Sequence, residues 1–180
     1  MRVFARRGLG EARHAEVAAE AGVSEATAFV YFPTRPALLG AVLEEVERFL
    51  VDMAERIHAR PLPAARNVLD HVLAFADSVD AHPHHARVWL DWSTAMREEV
   101  WPRYLELQER VVRIIQRTLE RGQRDGTLPR DLDPEDDARL LVGTAHMIAQ
   151  MKFTRCPPEK MTRFLHTVVR AALGGGAAML

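Results

Sequence analysis

The stretch that decides the fold is HAEVAAEAGVSEATAFVYFPTRPALL, residues 14–39. Its first part predicts a short helix with one small apolar face, and Gly22 ends that helix because glycine adopts the left-handed conformation without steric cost. Ser24 can cap a second short helix by accepting a hydrogen bond from the backbone N–H of Thr27, and Pro33 stops it. Two short helices joined by a glycine-containing turn are typical of a helix-turn-helix, whose second helix enters the major groove of DNA.

The rest of the chain predicts an all-α fold. Apolar residues recur at helical spacing, and stretches rich in Pro, Gly and Asp separate the helices. Helices are predicted over residues 34–59, 64–81, 85–97, 102–121 and 134–153, and a last helix carries residues 161–173. We therefore expect a helix-turn-helix head over residues 1–40, with a shortened first helix, and a helical effector-binding and dimerisation body over residues 41–180.

Composition neither supports nor excludes a nucleic-acid role. The net charge is -1, and residues 1–36 contain five Arg against four acidic residues, so DNA binding would depend on a local patch. Cys156 is the single cysteine, which excludes an intrachain disulfide and fits a reducing compartment. No apolar run is long enough to cross a bilayer and the first residues lack the apolar core of a signal peptide, so a cytoplasmic location is expected.

Two sequence blocks resemble a known family. AGVSEATAFVYFPTRPALL, residues 21–39, is similar to the recognition helix and following segment of TetR-type transcriptional regulators. VWLDWSTAMREEVWP, residues 88–102, together with FARRGLG, residues 4–10, resembles the LuxR/HapR-like quorum-sensing branch of that family. The resemblance covers most of the chain and implies a homodimer that binds a double-stranded DNA operator. It also implies that the first helix begins upstream of Met1, preceded by a basic arm that reaches DNA.

The helix-turn-helix and the resemblance together give ten expected DNA-contacting residues. At the ends of the two short helices these are Arg13, His14, Tyr31, Thr34 and Arg35; at the start of the recognition helix and along it they are Ser24, Glu25, Thr27, Ala28 and Val30. The resembling branch has Asn where Val30 stands. Valine packs on a thymine methyl but cannot hydrogen-bond a base edge, so operator preference should differ. The alternative for Thr27 and Ala28 is that they are small packing residues.

The body carries a candidate effector pocket. Trp89 and Trp92 share a helix face with Met96, and the other residues match pocket-lining positions in the resembling branch: Leu50, Val51, Met53, Phe75, Val112, Ile115 and Ala145. A cavity lined by aromatic and Met side chains suits a small hydrophobic ligand. The alternative is that these residues form ordinary core.

The last two helices are expected to pair with their copies in a second subunit, as the resemblance implies. The apolar stripe of the final helix fits such packing, and the expected interface residues are Leu141, Ile148, Met161, Phe164, Leu165, Val168, Val169 and Ala172. The alternative is that the stripe faces the chain's own core. Two-fold symmetry would place two recognition helices in successive major grooves, which predicts a pseudo-palindromic operator.

No constellation of residues predicts catalysis, a cofactor or a metal. Residues 82–85 contain three histidines but lack the carboxylate or cysteine spacing of a metal site, and there is no Gly-rich phosphate loop or nucleophile elbow. A regulator is therefore expected, and not an enzyme. The open alternative is a ligand-sensing or protein-interaction module that has lost DNA binding, because the first helix is short and Val30 replaces the Asn.

Overall fold

The computed structural model describes residues 1–96 and 99–174, and within these ranges the chain forms nine α-helices and no strand. The helices are α1 (Arg2–Arg7), α2 (His14–Ala21), α3 (Glu25–Tyr31), α4 (Arg35–His58), α5 (Ala64–Ala81), α6 (Pro83–Thr94), α7 (Trp101–Arg124), α8 (Pro134–Phe153) and α9 (Pro158–Ala172). The predicted all-α fold is confirmed. The last six residues of the predicted body, 175–180, lie outside the described residues.

The predicted helix caps are confirmed. Gly22 follows α2 with a left-handed φ of 69°, and the Ser24 side chain accepts a hydrogen bond from the Thr27 N–H at 3.0 Å. Asp133 caps α8 by accepting hydrogen bonds from the next two exposed backbone N–H groups, each at 3.0 Å. These signals are local, so the sequence alone was sufficient to place them.

Two helix boundaries differ from the prediction for identifiable reasons. Helix α6 begins at Pro83, because proline is tolerated at the first helical position. Helix α7 continues through Gly122, where the prediction ended it. A Cβ at Gly122 would lie 2.7 Å from side-chain atoms of Ala64 and of Leu128, so this glycine permits close packing and does not end the helix. Gly126, with φ of 70°, follows the helix end.

The contacts divide the chain into two compact units, Met1–Phe49 with His82–Tyr104, and Leu50–Ala81 with Leu105–Leu180. The boundary between these two units falls inside α4, and the predicted functional domains, residues 1–40 and 41–180, stay a prediction. Helix α6 belongs to the same unit as the helix-turn-helix because α1 packs against it, and the Leu9 N–H donates a 2.6 Å hydrogen bond to Asp91 Oδ2. In the second unit, α5 packs against α8 and α9, which also pack against each other.

No single helix in the described ranges is long and apolar enough to span a membrane; by length and composition only the bent pair α3 and α4, at 69°, passes the same test.

Candidate DNA-binding surface and effector body

Helix α3 presents one free face and buries the other. Val30 and Tyr31 are 78% and 74% exposed, the highest values among the large hydrophobic side chains of the described residues. Ser24 and Glu25 are also exposed, and Thr27 is partly exposed. The outward face of the recognition helix is therefore available to a partner.

Ala28 lies on the opposite face of α3 and is buried. The structure thus favours the packing alternative for Ala28 over a DNA contact. For Thr27, whose hydroxyl lies 2.8 Å from Ser24 Oγ, the cap geometry accounts for its position.

His14 holds the two short helices together. Its imidazole stacks on the Phe29 ring with centroids 4.1 Å apart and an interplanar angle of 8°. Its Nε2 donates a 2.7 Å hydrogen bond to the Phe32 carbonyl oxygen. Because the side chain is buried and engaged at both its face and its edge, the predicted DNA contact of His14 is replaced by a structural role.

Arg35 is likewise engaged by the protein itself. Its Nη2 donates to the carbonyl oxygens of Leu9 and Gly10, the second at 2.6 Å, and its Nε donates to the Ala12 carbonyl at 3.3 Å. The guanidinium therefore fixes the loop between α1 and α2, and its predicted phosphate contact stays a prediction. Thr34 is exposed and its Oγ1 accepts a hydrogen bond from the backbone N–H of the third residue after it, at 3.2 Å.

Arg13 differs from the other arginines of the head. Within residues 1–36, all of which the structure describes, each of the others has a partner in the chain: Arg2 and Arg6 pair with Glu20, Arg7 with Glu16, and Arg35 with carbonyls. Arg13 is exposed and makes no ion pair. It lies beside a cavity of about 470 Å³ at the starts of α2 and α3, lined by Gly10, Glu11, Arg13, His14, Glu25, Phe29 and Arg35.

Three of the predicted pocket residues belong to the first unit. Trp92 is fully buried, its Nε1–H donates a 2.8 Å hydrogen bond to the Val100 carbonyl, and its ring meets Tyr104 edge-on at 5.7 Å. Trp89 is also buried. Met96 is 67% exposed because α6 ends at Thr94, so it does not share the buried face of the two tryptophans as predicted.

The other seven predicted pocket residues belong to the second unit. Five of them are buried, namely Val51, Met53, Phe75, Val112 and Ile115, and two are partly exposed, Leu50 and Ala145. Burial of this kind fits both a pocket lining and ordinary core. The effector pocket therefore stays a prediction.

Sequence reasoning missed a buried polar cluster in the second unit. His58 Nδ1 lies 2.9 Å from Thr118 Oγ1, and His58 Nε2 lies 2.8 Å from His71 Nδ1. Burial lowers the pKa of His58 to about 3, helped by the nearby charges of His71 and Arg121, and burial lowers the pKa of His71 to about 4. Both imidazoles are therefore neutral near pH 7. Histidines on apolar helix faces were the only signal in the sequence.

The predicted interface residues are nearly all inside the chain. Seven of the eight are buried: Leu141, Ile148, Met161, Leu165, Val168, Val169 and Ala172; Phe164 is partly exposed. On α8 the exposed apolar residues are instead Leu140 and Met147, at 46% and 52%. Each of these two residues comes one position before a predicted interface residue. One position corresponds to about 100° around an α-helix, so the exposed face of α8 is rotated by that angle from the predicted interface face.

A second cavity, of about 630 Å³, lies where α8 and α9 meet. Its lining joins apolar side chains with three cations and consists of Met147, Met151, Thr154, Arg155, Cys156, Pro157, Lys160, Arg163, Phe164 and Thr167. Arg155 follows α8 with a left-handed φ of 55°, which is strained for a residue with a side chain.

The histidines near the start of α6 pack on an aromatic ring. His82 and His85 each contact Phe49, with ring centroids 4.9 Å apart. Among the described residues, no group of three or more His, Cys, Asp or Glu side chains is arranged to hold a metal ion.

A capped helix-turn-helix with a free recognition face, followed by a helical body, defines a helix-turn-helix DNA-binding protein. Residues 1–42 match the family described as bacterial regulatory proteins, tetR family. Over 153 residues the chain is 35% identical to the HTH-type transcriptional regulator LuxR of Vibrio harveyi, a match that covers 82% of this chain and 72% of that protein. The chain belongs to the TetR family of transcriptional regulators.

Solved structures share this fold. The regulator FadR from Bacillus subtilis, in complex with stearoyl-CoA, superimposes with a TM-score of 0.77 at 18% identity, covering 97% of this chain and 94% of that one. A TetR-family regulator from Rhodococcus sp. gives a TM-score of 0.78 at 18% identity, covering 96% and 93%. Together with the family match, they confirm the resemblance found in the sequence.

Proposed function

We propose that this regulator acts as a homodimer on a pseudo-palindromic operator and that a small hydrophobic effector in its helical body modulates operator binding. The observation that carries the proposal is that some residues of the helix-turn-helix hold the motif together while others are exposed to a partner. His14, Ala28 and Arg35 fix the frame of the helix-turn-helix, whereas Val30 and Tyr31 remain exposed and Arg13 has no ion pair.

On DNA, Arg13 and Tyr31 would contact phosphates and Val30 would pack on a thymine methyl. Fluorescence anisotropy with the DNA upstream of the protein's own gene tests this. Arg13→Met should weaken binding on every sequence and lower the slope of log K against log salt by about 1, and Val30→Asn should change which sequences bind best. Arg66→Met, an exposed arginine of α5, is the matched control.

Two results would contradict the DNA-binding proposal. Wild-type protein that fails to bind, or binds without salt dependence, would favour a ligand-sensing or protein-interaction module that has lost DNA binding. An Arg13→Met variant with the wild-type salt slope would remove Arg13 from the interface while leaving the rest of the proposal standing.

The exposed face of α8 supports the dimer. Leu140 and Met147 are seven residues apart and therefore lie on one side of the helix. A second copy of α8 would remove this face from water, since a two-fold axis across the middle of the helix packs the two exposed residues against their own copies. The proposed interface thus uses the exposed residues of α8 and the partly exposed Phe164, in place of the buried set.

Charge at the two ends of α8 fits the same arrangement. Its first turn carries Glu135, Asp136 and Asp137, and burial and the charges of Asp133 and Asp136 raise the pKa of Asp137. The opposite end lies beside the cations that line the α8–α9 cavity. Antiparallel pairing of two copies of α8 would bring the acidic end of one copy beside the basic end of the other.

Sedimentation velocity tests the dimer. Met147→Glu should weaken self-association by about tenfold or more, because it places a charge in an apolar interface. Leu105→Glu serves as the control, because it changes another exposed apolar residue, on α7. Charge reversals Asp136→Arg and Arg155→Glu should each weaken the dimer at low salt, and the double variant should regain affinity. A dimer that tolerates Met147→Glu would place the interface elsewhere.

The effector proposal rests on the buried aromatic and apolar residues of the body and on the fold shared with FadR, whose structure holds stearoyl-CoA. A ligand that binds one conformation more tightly shifts the population and so changes operator affinity. Hydrophobic compounds should raise the melting temperature and release operator DNA. Compounds that never do either would contradict the proposal.

A further inference from the structure

The polar cluster of the second unit, in which His58, His71 and Thr118 are hydrogen-bonded and Arg121 is a nearby charge, lacks an anionic partner. The Arg121 guanidinium donates to the Leu62 carbonyl at 3.3 Å. Within the described part of the chain, no carboxylate is hydrogen-bonded or ion-paired to any member of the cluster.

The acidic residue next to the cluster is already engaged. Asp70 precedes His71 in α5, and its carboxylate oxygens pair with Arg60 at 2.6 Å and with Arg66 at 2.8 Å. The polar cluster therefore combines a guanidinium, a hydroxyl and two imidazoles with no counter-charge. Such a set of donors suits an anion.

The three helices that carry the cluster have a known relative direction in the second unit. Helix α7 runs parallel to α4, because Glu55 meets Arg110 and His58 meets Thr118. Helix α5 runs antiparallel to α4, because His58 meets His71 while Arg60 meets Asp70.

These directions place apolar residues in a layer on one side of the polar cluster. Val51 lies two turns before His58, Phe75 one turn after His71, and Ile115 one turn before Thr118, and all three are buried. With a rise of about 1.5 Å per residue, this apolar layer extends to about 10 Å from the cluster along α4.

We infer that the polar cluster binds the carboxylate head group of an amphipathic ligand, whose alkyl tail lies along the apolar layer of Val51, Phe75 and Ile115. The inference rests on the proposed effector function and names the chemical class of the effector. The carboxylate oxygens accept hydrogen bonds from the Arg121 guanidinium and from Nε2 of His71, because both nitrogens of His58 and Nδ1 of His71 already make hydrogen bonds inside the cluster. A proton taken up from solvent converts the His71 imidazole into an imidazolium.

A series with one tail and three head groups tests this on the full-length protein. Octanoate, octan-1-ol and octylammonium are compared below their micellar concentrations by thermal shift and by calorimetry. Octanoate should raise the melting temperature most and octylammonium least. Calorimetry in two buffers of different ionisation enthalpy should show net proton uptake with octanoate, and none with octan-1-ol.

Variants separate the head-group contact from general stability. Arg121→Met keeps most of the side-chain length and should weaken octanoate binding about tenfold or more, with octan-1-ol affinity unchanged. Thr118→Val removes only the hydroxyl and provides a second test if Arg121→Met does not fold. Arg124→Met, at an exposed arginine one turn further along α7, is the control for loss of a cation from the same unit.

The outcomes distinguish the inference from the proposed function. Octan-1-ol that binds as tightly as octanoate, or octanoate affinity unchanged in Arg121→Met and Thr118→Val, would overturn the carboxylate site and leave a hydrophobic effector in place. If none of the three compounds shifts the melting temperature or releases DNA, while other hydrophobic compounds do, the carboxylate site is again overturned. If no compound of any kind shifts the melting temperature or releases DNA, both the carboxylate site and the proposed effector function are overturned.

Discussion

Acid should destabilise this protein well before its carboxylates titrate, because the second unit holds two neutral histidines, His58, which is buried, and His71, which is partly buried. An ordinary histidine has a pKa near 6.5, whereas burial lowers the pKa of His58 to about 3 and that of His71 to about 4. The folded state therefore binds fewer protons than the unfolded state below pH 6.5. The stability contribution is complete above that pH and is lost as the pH falls toward the folded-state pKa values.

The loss in free energy of unfolding at pH 5 does not depend on the exact pKa values of the two histidines in the folded state. At that pH both imidazoles are still neutral in the folded protein, while both are protonated in the unfolded chain. Each group then costs about 2 kcal/mol relative to neutral pH, or about 4 kcal/mol for His58 and His71 together. That is a large part of the roughly 5–15 kcal/mol by which a typical domain is stable.

Urea denaturation between pH 7 and pH 5, at fixed protein concentration, measures this effect. His71→Asn keeps a polar group at the position of Nδ1 but cannot titrate, so it should lose about 2 kcal/mol less than the wild type over that range. His166→Asn, at an exposed position of α9 that is solvated in both states, is the control. Equal losses in wild type and His71→Asn would refute the argument that burial holds the pair neutral.

Substitutions at four further positions test single structural features. Ser24→Ala should cost about 1 kcal/mol by removing the cap of α3, measured by urea denaturation, and an unchanged midpoint would contradict that role. His14→Ala should speed amide exchange throughout α3, since both the stacked ring and the hydrogen bond are lost; wild-type exchange would show that neither matters. Arg155→Gly should raise the free energy of unfolding by about 0.5–1 kcal/mol by relieving the left-handed conformation, and a loss would mean the side chain stabilises the fold. Asp91→Ala should speed exchange of the Leu9 amide, whereas Asp91→Asn keeps an acceptor and should not; equal exchange in both variants would contradict this contact.

Local signals were sufficient for most of the fold. The caps at Gly22, Ser24 and Asp133 depend on hydrogen bonds within a few residues, so the sequence placed them correctly. Gly122 was misread because its role depends on a contact with Ala64, far away in the chain. Glycine at a helix end and glycine at a close approach look alike in a sequence.

The site was predictable only where exposure follows from helix position. Val30 and Tyr31 are exposed, as a recognition helix requires. The roles of His14 and Arg35 were not predictable, because their partners are backbone carbonyls, which carry no side-chain signature. On α8 the exposed apolar residues are offset by one position from the predicted interface residues, since Leu140 and Leu141 are chemically identical and only packing distinguishes them.

The main chain of the loop from Leu9 to Ala12 is held by hydrogen bonds with Asp91 on one side and Arg35 on the other, and the side chains at its two ends are buried. Hydrogen bonds to main-chain groups do not depend on which side chains the bonded residues carry. Positions 10 and 11 should therefore accept broad variation in a saturation library; at Gly10 a Cβ would meet no atom within 4 Å. Asp91 and Arg35, which make these hydrogen bonds, should tolerate few substitutions. The positions most sensitive to mutation would then lie outside the loop, far from it in the sequence.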